Sequence, residues 1–297
     1  MISYRFDLAD TSLTESLRRI ALAEIAPVRH RLSESGALDP GTVHDIRKRM
    51  KRLRALLRLL RSGLPRIWPA ENMVLREAAR GLSEARDGAT RLASFDRIAH
   101  TEASPALGAL RAQFVAEAAL QAGPPDDLGG VLEGLALRIE GWQVRGADRH
   151  VLEDGLARTR ARTRAAMRAA RDHVGAGARA EALHDWRKRA KDFWYQARLF
   201  QPAWPEAMKP IVAEAGRLGE LLGDHHDLAV LTAHVAALPE SDIHPEARVT
   251  IAERSSEAML ALEAEAFPLG ARLFAGDPEE MASLWVKWWR LWRAQVA

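Results

Sequence analysis

The sequence predicts an all-α fold made of two similar helical halves, and three observations support that prediction. No segment alternates between apolar and polar residues for long enough to indicate a β-strand. Several long stretches instead carry apolar residues at the spacing of one helix face, with glycines and prolines in the breaks between them. A stretch of twelve residues also recurs 140 positions later in an altered but recognisable form. Such a repeat indicates an internal duplication.

The first half, residues 1–145, contains five predicted helices. The first has an apolar stripe that includes Leu13, Leu17 and Ile20. Thr42 is the predicted N-cap of the second helix, with Asp45 as its acidic capping partner. Pro65 and Pro69 precede the third helix. The predicted spans are about 12–35, from the cap at 42 to about 61, from 70 into the 90s, 105–121 and 128–141.

The second half, residues 146–297, repeats this order, and glycines near 141–146 mark the boundary between the halves. The predicted spans are about 149–174, 179–200, 206–238, 245–274 and 277–294. In the last helix, Trp285, Trp288, Trp289 and Trp292 follow helical spacing, which favours a core-facing stripe over a stacking surface for bases or sugars. We expect both halves to belong to one domain that spans residues 1–297.

The repeated stretch reads His-Asp-x-Arg-Lys-Arg-x-Lys in both copies, beginning at His44 and at His184. The offset of 140 then continues without a gap, so that Leu59 matches Leu199 and Leu82 matches Leu222. On a helical wheel, each copy has one apolar face and one cationic face. The cationic faces carry His44, Arg47, Lys48, Lys51, Arg54 and Arg58, and His184, Arg187, Lys188, Lys191 and Arg198.

These cationic faces could be solvated helix surfaces, but the placement of lysine favours an anion-binding site. The chain has only six lysines among 43 basic residues, and four of the six lie in the two copies. A compact ammonium group suits a phosphate oxygen. Like charges at i,i+4 repel each other, so the column of cations costs stability unless an anion compensates. Asp45 with Arg49, and Asp185 with Arg189, are predicted to pair along the helix surface.

Composition limits the other possibilities. The formal net charge is only +3, so the distribution of charge matters more than its sum. The absence of cysteine excludes disulfides and thiolate-ligated metals. The N-terminus lacks a signal-peptide pattern, and the uncharged run 228–239 is too short to span a bilayer. We therefore expect a soluble, cytoplasmic protein without a membrane partner.

Few residues suggest catalysis. The sequence has no phosphate-binding glycine loop, no nucleophile elbow and no zinc-protease motif. His225 and His226 could contribute to a metal site, but adjacent helical residues point about 100° apart and chelate poorly as a pair. We therefore expect no cofactor and no metal.

The two His-Asp-x-Arg-Lys-Arg-x-Lys helices resemble the CHAD family, the conserved histidine α-helical domain. The stretches Leu82-Ser-Glu-Ala-Arg-Asp and Leu222-Gly-Asp-His-His-Asp, about forty residues after each histidine, add to the resemblance. It covers nearly the whole chain and implies two helical bundles related by a pseudo-twofold axis around a basic central channel. Many relatives carry an N-terminal triphosphate tunnel domain with a Glu-x-Glu-x-Lys motif, which this chain lacks. The chain therefore resembles a stand-alone member.

The resemblance also implies a ligand, inorganic polyphosphate, and association with polyphosphate granules. Carried over by position, the polyphosphate-binding residues would be His44, Arg47, Lys48, Lys51, Arg54, Arg58, His184, Arg187, Lys188, Lys191, Tyr195 and Arg198. The halves differ where Trp194 matches Arg54 and where Tyr195, a possible hydroxyl donor, matches Ala55.

We therefore expect a non-enzymatic protein that binds polyphosphate between its two cationic helix faces, more tightly as pH falls and the histidines take up protons. Two alternatives remain open. A nucleic-acid binder would also use a basic stripe, although nucleic acid is not expected as the primary ligand. A metal-dependent phosphohydrolase or phosphotransfer enzyme could use His44 or His184.

Overall fold

The prediction of an all-α fold is confirmed. The computed structural model describes residues 4–34, 39–82, 84–99, 104–119, 127–173 and 175–295, and these contain eleven α-helices and no strand. The helices are α1 (Leu13–Glu34), α2 (Pro40–Leu59), α3 (Ile67–Gly81), α4 (Glu84–Ala99), α5 (Pro105–Ala119), α6 (Leu128–Glu140), α7 (Asp148–Asp172), α8 (Ala176–Phe200), α9 (Pro205–Ala237), α10 (Pro245–Leu273) and α11 (Pro278–Arg293). Within these ranges, no helix is both long enough and apolar enough to cross a membrane.

The start of α2 differs from the prediction. Asp39, not Thr42, is the N-cap, and its carboxylate accepts hydrogen bonds from the backbone N–H groups of Gly41 (2.8 Å) and Thr42 (3.0 Å). Pro40 suits the first turn because that position has no intrahelical acceptor for an N–H group. Asp45 is therefore not a capping partner. It forms the predicted ion pair with Arg49 at 2.9 Å.

A second difference lies between the halves. One helix was predicted from residue 70 into the 90s, but α3 ends at Gly81 and α4 begins at Glu84. At the matching place in the second half, α9 continues unbroken for 33 residues. The predicted single helix is therefore wrong for the first half.

One large hydrophobic core joins elements from both ends of the chain. Trp186 of α8 and Trp285 of α11 are among its largest fully buried side chains. The predicted tryptophan stripe of α11 faces this core, with Trp289 buried and Trp288 and Trp292 packed against it. A smaller core joins α4 and α5 to α9 and α10 around Phe114.

The approach of α7 to α2 depends on Gly155. A Cβ atom at this position would lie 1.9 Å from the backbone oxygen of Leu59, so no larger residue fits without movement of a helix. This close contact brings the N-terminal third of α7 against the C-terminal end of α2.

Candidate anion-binding site

Helices α2 and α8 pack against each other with their chains running in opposite directions. Arg58 donates a hydrogen bond to Asp192 at 2.5 Å, and Gln196 Nε2 donates to the backbone oxygen of Ala55 at 3.4 Å. Their cationic side chains meet in a cleft of about 200 Å³. The residues that line it are His44, Arg47, Lys48, Lys51, Arg187, Lys191, Trp194 and Tyr195. Seven of the twelve predicted site residues therefore share one cleft.

The cleft is electropositive, and its cations are partly removed from water. The pKa of Lys48 is lowered, first by burial and then by the charges of Arg52 and Arg198. Both causes disfavour the protonated ammonium group. An anion in the cleft would reverse the second effect, because it would replace repulsion with attraction.

His184 lies at one end of this cationic group, stacked on His226. The ring centroids are 4.0 Å apart and the ring planes differ by 25°. Burial first, and then neighbouring charges that include Arg187 and Lys188, lower the pKa of both imidazoles to about 4. Lys51 also acts on His226, which places the stacked pair beside the cleft. Both rings are therefore neutral near pH 7, and the predicted protonation requires more acid conditions or a bound anion.

His226 was not predicted as a site residue, although the His-His sequence was noted as a candidate metal site. The two adjacent histidines point to different surroundings. Nε2 of His225 is buried and lies 3.1 Å from Oε1 of Glu263, whereas His226 faces His184. Among the described residues, no group of three or more histidine, aspartate or glutamate side chains is placed to hold a metal ion.

The aromatic residues of the cleft are packed, not open. Trp194 has the Lys191 ammonium 5.8 Å and the Arg198 guanidinium 5.3 Å from the centre of its ring. Tyr195 is buried against Tyr4, with ring centroids 6.2 Å apart. Burial raises the pKa of Tyr195 to about 12, so its hydroxyl group stays protonated and can donate a hydrogen bond.

The remaining predicted residues do not line this cleft. Arg54 Nε donates to Asn72 Oδ1 at 3.1 Å, and burial lowers the pKa of Arg54 to about 10. Arg58 binds Asp192, as described above. Arg198 lines a neighbouring pocket together with Arg5 and Lys209. Lys188 is exposed near the stacked histidines.

An all-helical fold with two cationic helix faces is the combination expected of the CHAD family. The family model of the CHAD domain matches residues 14–236, and the chain therefore belongs to the CHAD family. The resemblance predicted from the two repeated helices is confirmed.

Two solved structures share the fold. PptA from Streptomyces chartreusis is 15% identical, with a TM-score of 0.58 over 87% of this chain and 99% of that chain. The crystal structure of the CHAD domain from the plant Ricinus communis is 20% identical, with a TM-score of 0.54 over 95% of this chain and 94% of that chain. No curated protein matches the chain.

Proposed function

We propose that this protein binds inorganic polyphosphate in the cleft between α2 and α8, without chemical turnover. The observation that carries the proposal is the meeting of two cationic helix faces, distant in sequence, in one partly desolvated cleft. Cations in low-dielectric surroundings attract an anion more strongly than cations in bulk water.

A linear inorganic polyanion fits this arrangement better than a nucleic acid. Single-stranded nucleic acids commonly stack their bases on aromatic side chains. In this cleft, cationic groups of Lys191 and Arg198 already lie over the ring of Trp194, and Tyr195 is buried. The lining therefore offers charge and hydrogen-bond donors along a chain of phosphates, and little surface for bases.

The direct test is a calorimetric titration with polyphosphate of defined length. We expect wild-type protein to bind and Lys48→Glu with Lys188→Glu to lose at least about a hundredfold in affinity. Lys48 lines the cleft and Lys188 lies beside the stacked histidines at its end, so each substitution replaces attraction with repulsion. The matched control is Lys287→Glu with Arg290→Glu, which makes the same change in charge on exposed positions of α11. Circular dichroism checks that all variants are folded. A wild-type protein that does not bind polyphosphate would refute the proposal.

Two further measurements separate the other functions. In competition, polyphosphate should displace labelled RNA or DNA, and an excess of nucleic acid should not displace polyphosphate. Prolonged incubation of polyphosphate with purified protein should release no orthophosphate, with or without a divalent cation. Release that EDTA stops would instead favour a metal-dependent phosphohydrolase.

The proposal extends to the cell through association with polyphosphate granules. A fluorescent fusion of the wild-type chain should co-localise with stained polyphosphate, and the fusion with Lys48→Glu and Lys188→Glu should remain diffuse.

A further inference from the structure

A second cationic pocket shares no lining residue with the cleft. It lies where α7 meets α8 and the C-terminal end of α2. Five arginines and one carboxylate in its lining determine its chemistry: Arg58, Arg61, Arg158, Arg162, Arg189 and Asp192.

The close contact at Gly155 explains why these arginines converge. Residues 155, 158 and 162 lie on one side of α7, because helical residues three and seven positions apart share a face. The side of α7 that touches Leu59 therefore directs Arg158 and Arg162 to the end of α2, where Arg58 and Arg61 lie.

The carboxylates near this pocket do not balance its cations. Asp192 accepts a hydrogen bond from Arg58 at 2.5 Å and lies 3.8 Å from Arg189. Arg158 pairs with Asp154 at 2.6 Å. Within the described ranges of the chain, neither Arg61 nor Arg162 has a carboxylate partner. Arg61 lies over the ring of Trp68 at 5.9 Å.

Arg162 shows the electrostatic consequence. Its side chain is largely exposed, and its pKa is lowered first by partial burial and then by four guanidinium groups, those of Arg189, Arg61, Arg158 and Arg58. Like charges gathered in this way reduce stability unless an anion lies among them.

We propose that this pocket binds a single tetrahedral oxyanion of the phosphate class, independently of the cleft. Planar guanidinium groups suit bidentate hydrogen bonds to phosphoryl oxygens. The enclosed space is only about 20 Å³, room for about one water molecule, so the surrounding arginines must move outward before one phosphoryl group fits. The side chain of Arg158 is 37% exposed and Arg162 is also exposed, so both can move outward to admit the ion.

The ion has two possible sources, free orthophosphate or the terminal phosphoryl group of a longer chain. Three probes distinguish them: orthophosphate, linear tripolyphosphate, and cyclic trimetaphosphate, which has no terminal phosphoryl group. If the ligand is free orthophosphate, then orthophosphate alone should bind. Recognition of a chain end requires that tripolyphosphate bind at this pocket and that trimetaphosphate not do so.

The test compares wild-type protein with Arg61→Gln and Arg162→Gln combined, and with Arg168→Gln as the control on an exposed position of α7. Binding of each probe is measured by calorimetry and by the melting temperature at constant ionic strength. We expect the double variant to lose at least about tenfold in affinity for orthophosphate or tripolyphosphate, because charge-assisted hydrogen bonds disappear. Arg168→Gln should bind as wild type does.

The melting temperature gives a signature that a purely structural role would not produce. Without phosphate, the double variant should melt at the same temperature as wild type or higher, since repulsion is relieved. With phosphate, wild type should melt higher than the variant. Lys48→Glu with Lys188→Glu should keep orthophosphate affinity within about threefold, because the sites are separate and salt screens distant charges. The inference would be overturned if the double variant bound both orthophosphate and tripolyphosphate as tightly as wild type does. It would also be overturned if no probe had a larger effect than chloride.

Discussion

Arg58 of α2 donates a 2.5 Å hydrogen bond to the buried carboxylate of Asp192 on α8. The positions related to these two by the offset of 140 are Arg198 and Arg52, which are both cations. Arg52 acts on Arg198 and contributes to lowering its pKa, after burial. The first pair is therefore an ion pair between α2 and α8, whereas the second is a pair of cations in which Arg52 takes its counter-charge from the buried Glu24 of α1, at 3.3 Å. The positions related by the offset of 140 therefore obtain their counter-charges from different helices, α8 for Arg58 and α1 for Arg52.

Replacement of this buried carboxylate should be costly. Asp192→Asn leaves Arg58, Arg189 and Arg54 without their shared counter-charge, and loss of one partner from a buried pair costs about 3–5 kcal/mol. The free energy of unfolding in urea measures the loss. Asp185→Asn is the matched control on the same helix. Its side chain is 49% exposed, so we expect a change within about 1 kcal/mol. An equal loss in the free energy of unfolding for both substitutions would show that the buried ion pair stabilises the fold no more than the exposed one.

The salt dependence of polyphosphate binding should report the number of cations in contact. By analogy with other polyanions, the logarithm of the association constant should fall linearly with the logarithm of salt concentration. Lys51→Gln removes one charge from the cleft and should reduce that slope by about one. Lys287→Gln, on the exposed side of α11, should leave the slope unchanged. An unchanged slope for Lys51→Gln would place the polymer elsewhere.

The stacked histidines predict a dependence of binding on pH. In the free protein, the pKa values of His184 and His226 are lowered to about 4, so both rings are neutral near pH 7. A bound polyanion favours the protonated rings and raises these pKa values, and binding then takes up protons. Affinity should rise as pH falls from the raised value in the complex towards about 4. His184→Gln with His226→Gln should flatten this rise. Calorimetry at several pH values measures it, and a rise that persists in the variant would assign it to other groups.

The same shifts predict the sign of the pH effect on stability. A histidine with its ordinary pKa of 6.5 in the unfolded chain and a pKa of about 4 in the folded protein binds more protons when unfolded. This histidine pair should therefore make the free energy of unfolding of the free protein fall as pH falls from 6.5 towards 4. The double glutamine variant should show a smaller fall in the free energy of unfolding over that range. If its fall equals that of the wild type, the histidine pair does not contribute.

Gly155→Ala should destabilise the contact between α7 and α2. The added methyl group would lie 1.9 Å from the oxygen of Leu59, so the helices must move apart. Overpacking of this kind typically costs about 1–3 kcal/mol. The control is Gly108→Ala in α5, where nothing lies within 4 Å of the new methyl group. That variant should gain up to about 1 kcal/mol from helix propensity. Thermal unfolding measures both, and a stable Gly155→Ala protein would contradict the packing argument.

Local sequence patterns were sufficient to predict most of the helices. The helical spacing of apolar residues predicted every long helix of the second half, and the repeated motif placed the cationic faces of α2 and α8. The family assignment followed from the same motif and is confirmed. The break between α3 and α4 was missed because Leu82 and its neighbours continue the helical pattern. The internal duplication and the limits of its two halves stay predictions.

The distribution of partners among the cations could not be predicted from the sequence. The helical wheel predicts Arg58 on the anion-binding face of α2. In the structure its guanidinium group donates instead to the carboxylate of Asp192, 134 residues away. His226 was considered for metal binding, but it stacks on His184 and adjoins the cleft.

The sequence by itself determined which residues form helices and which helix faces carry charge, because both depend on spacing within a few turns. Only the tertiary structure decided which charges meet each other and which are neutralised. Those outcomes depend on distances of a few ångströms between side chains on different helices, such as Arg58 and Asp192, which no local pattern encodes.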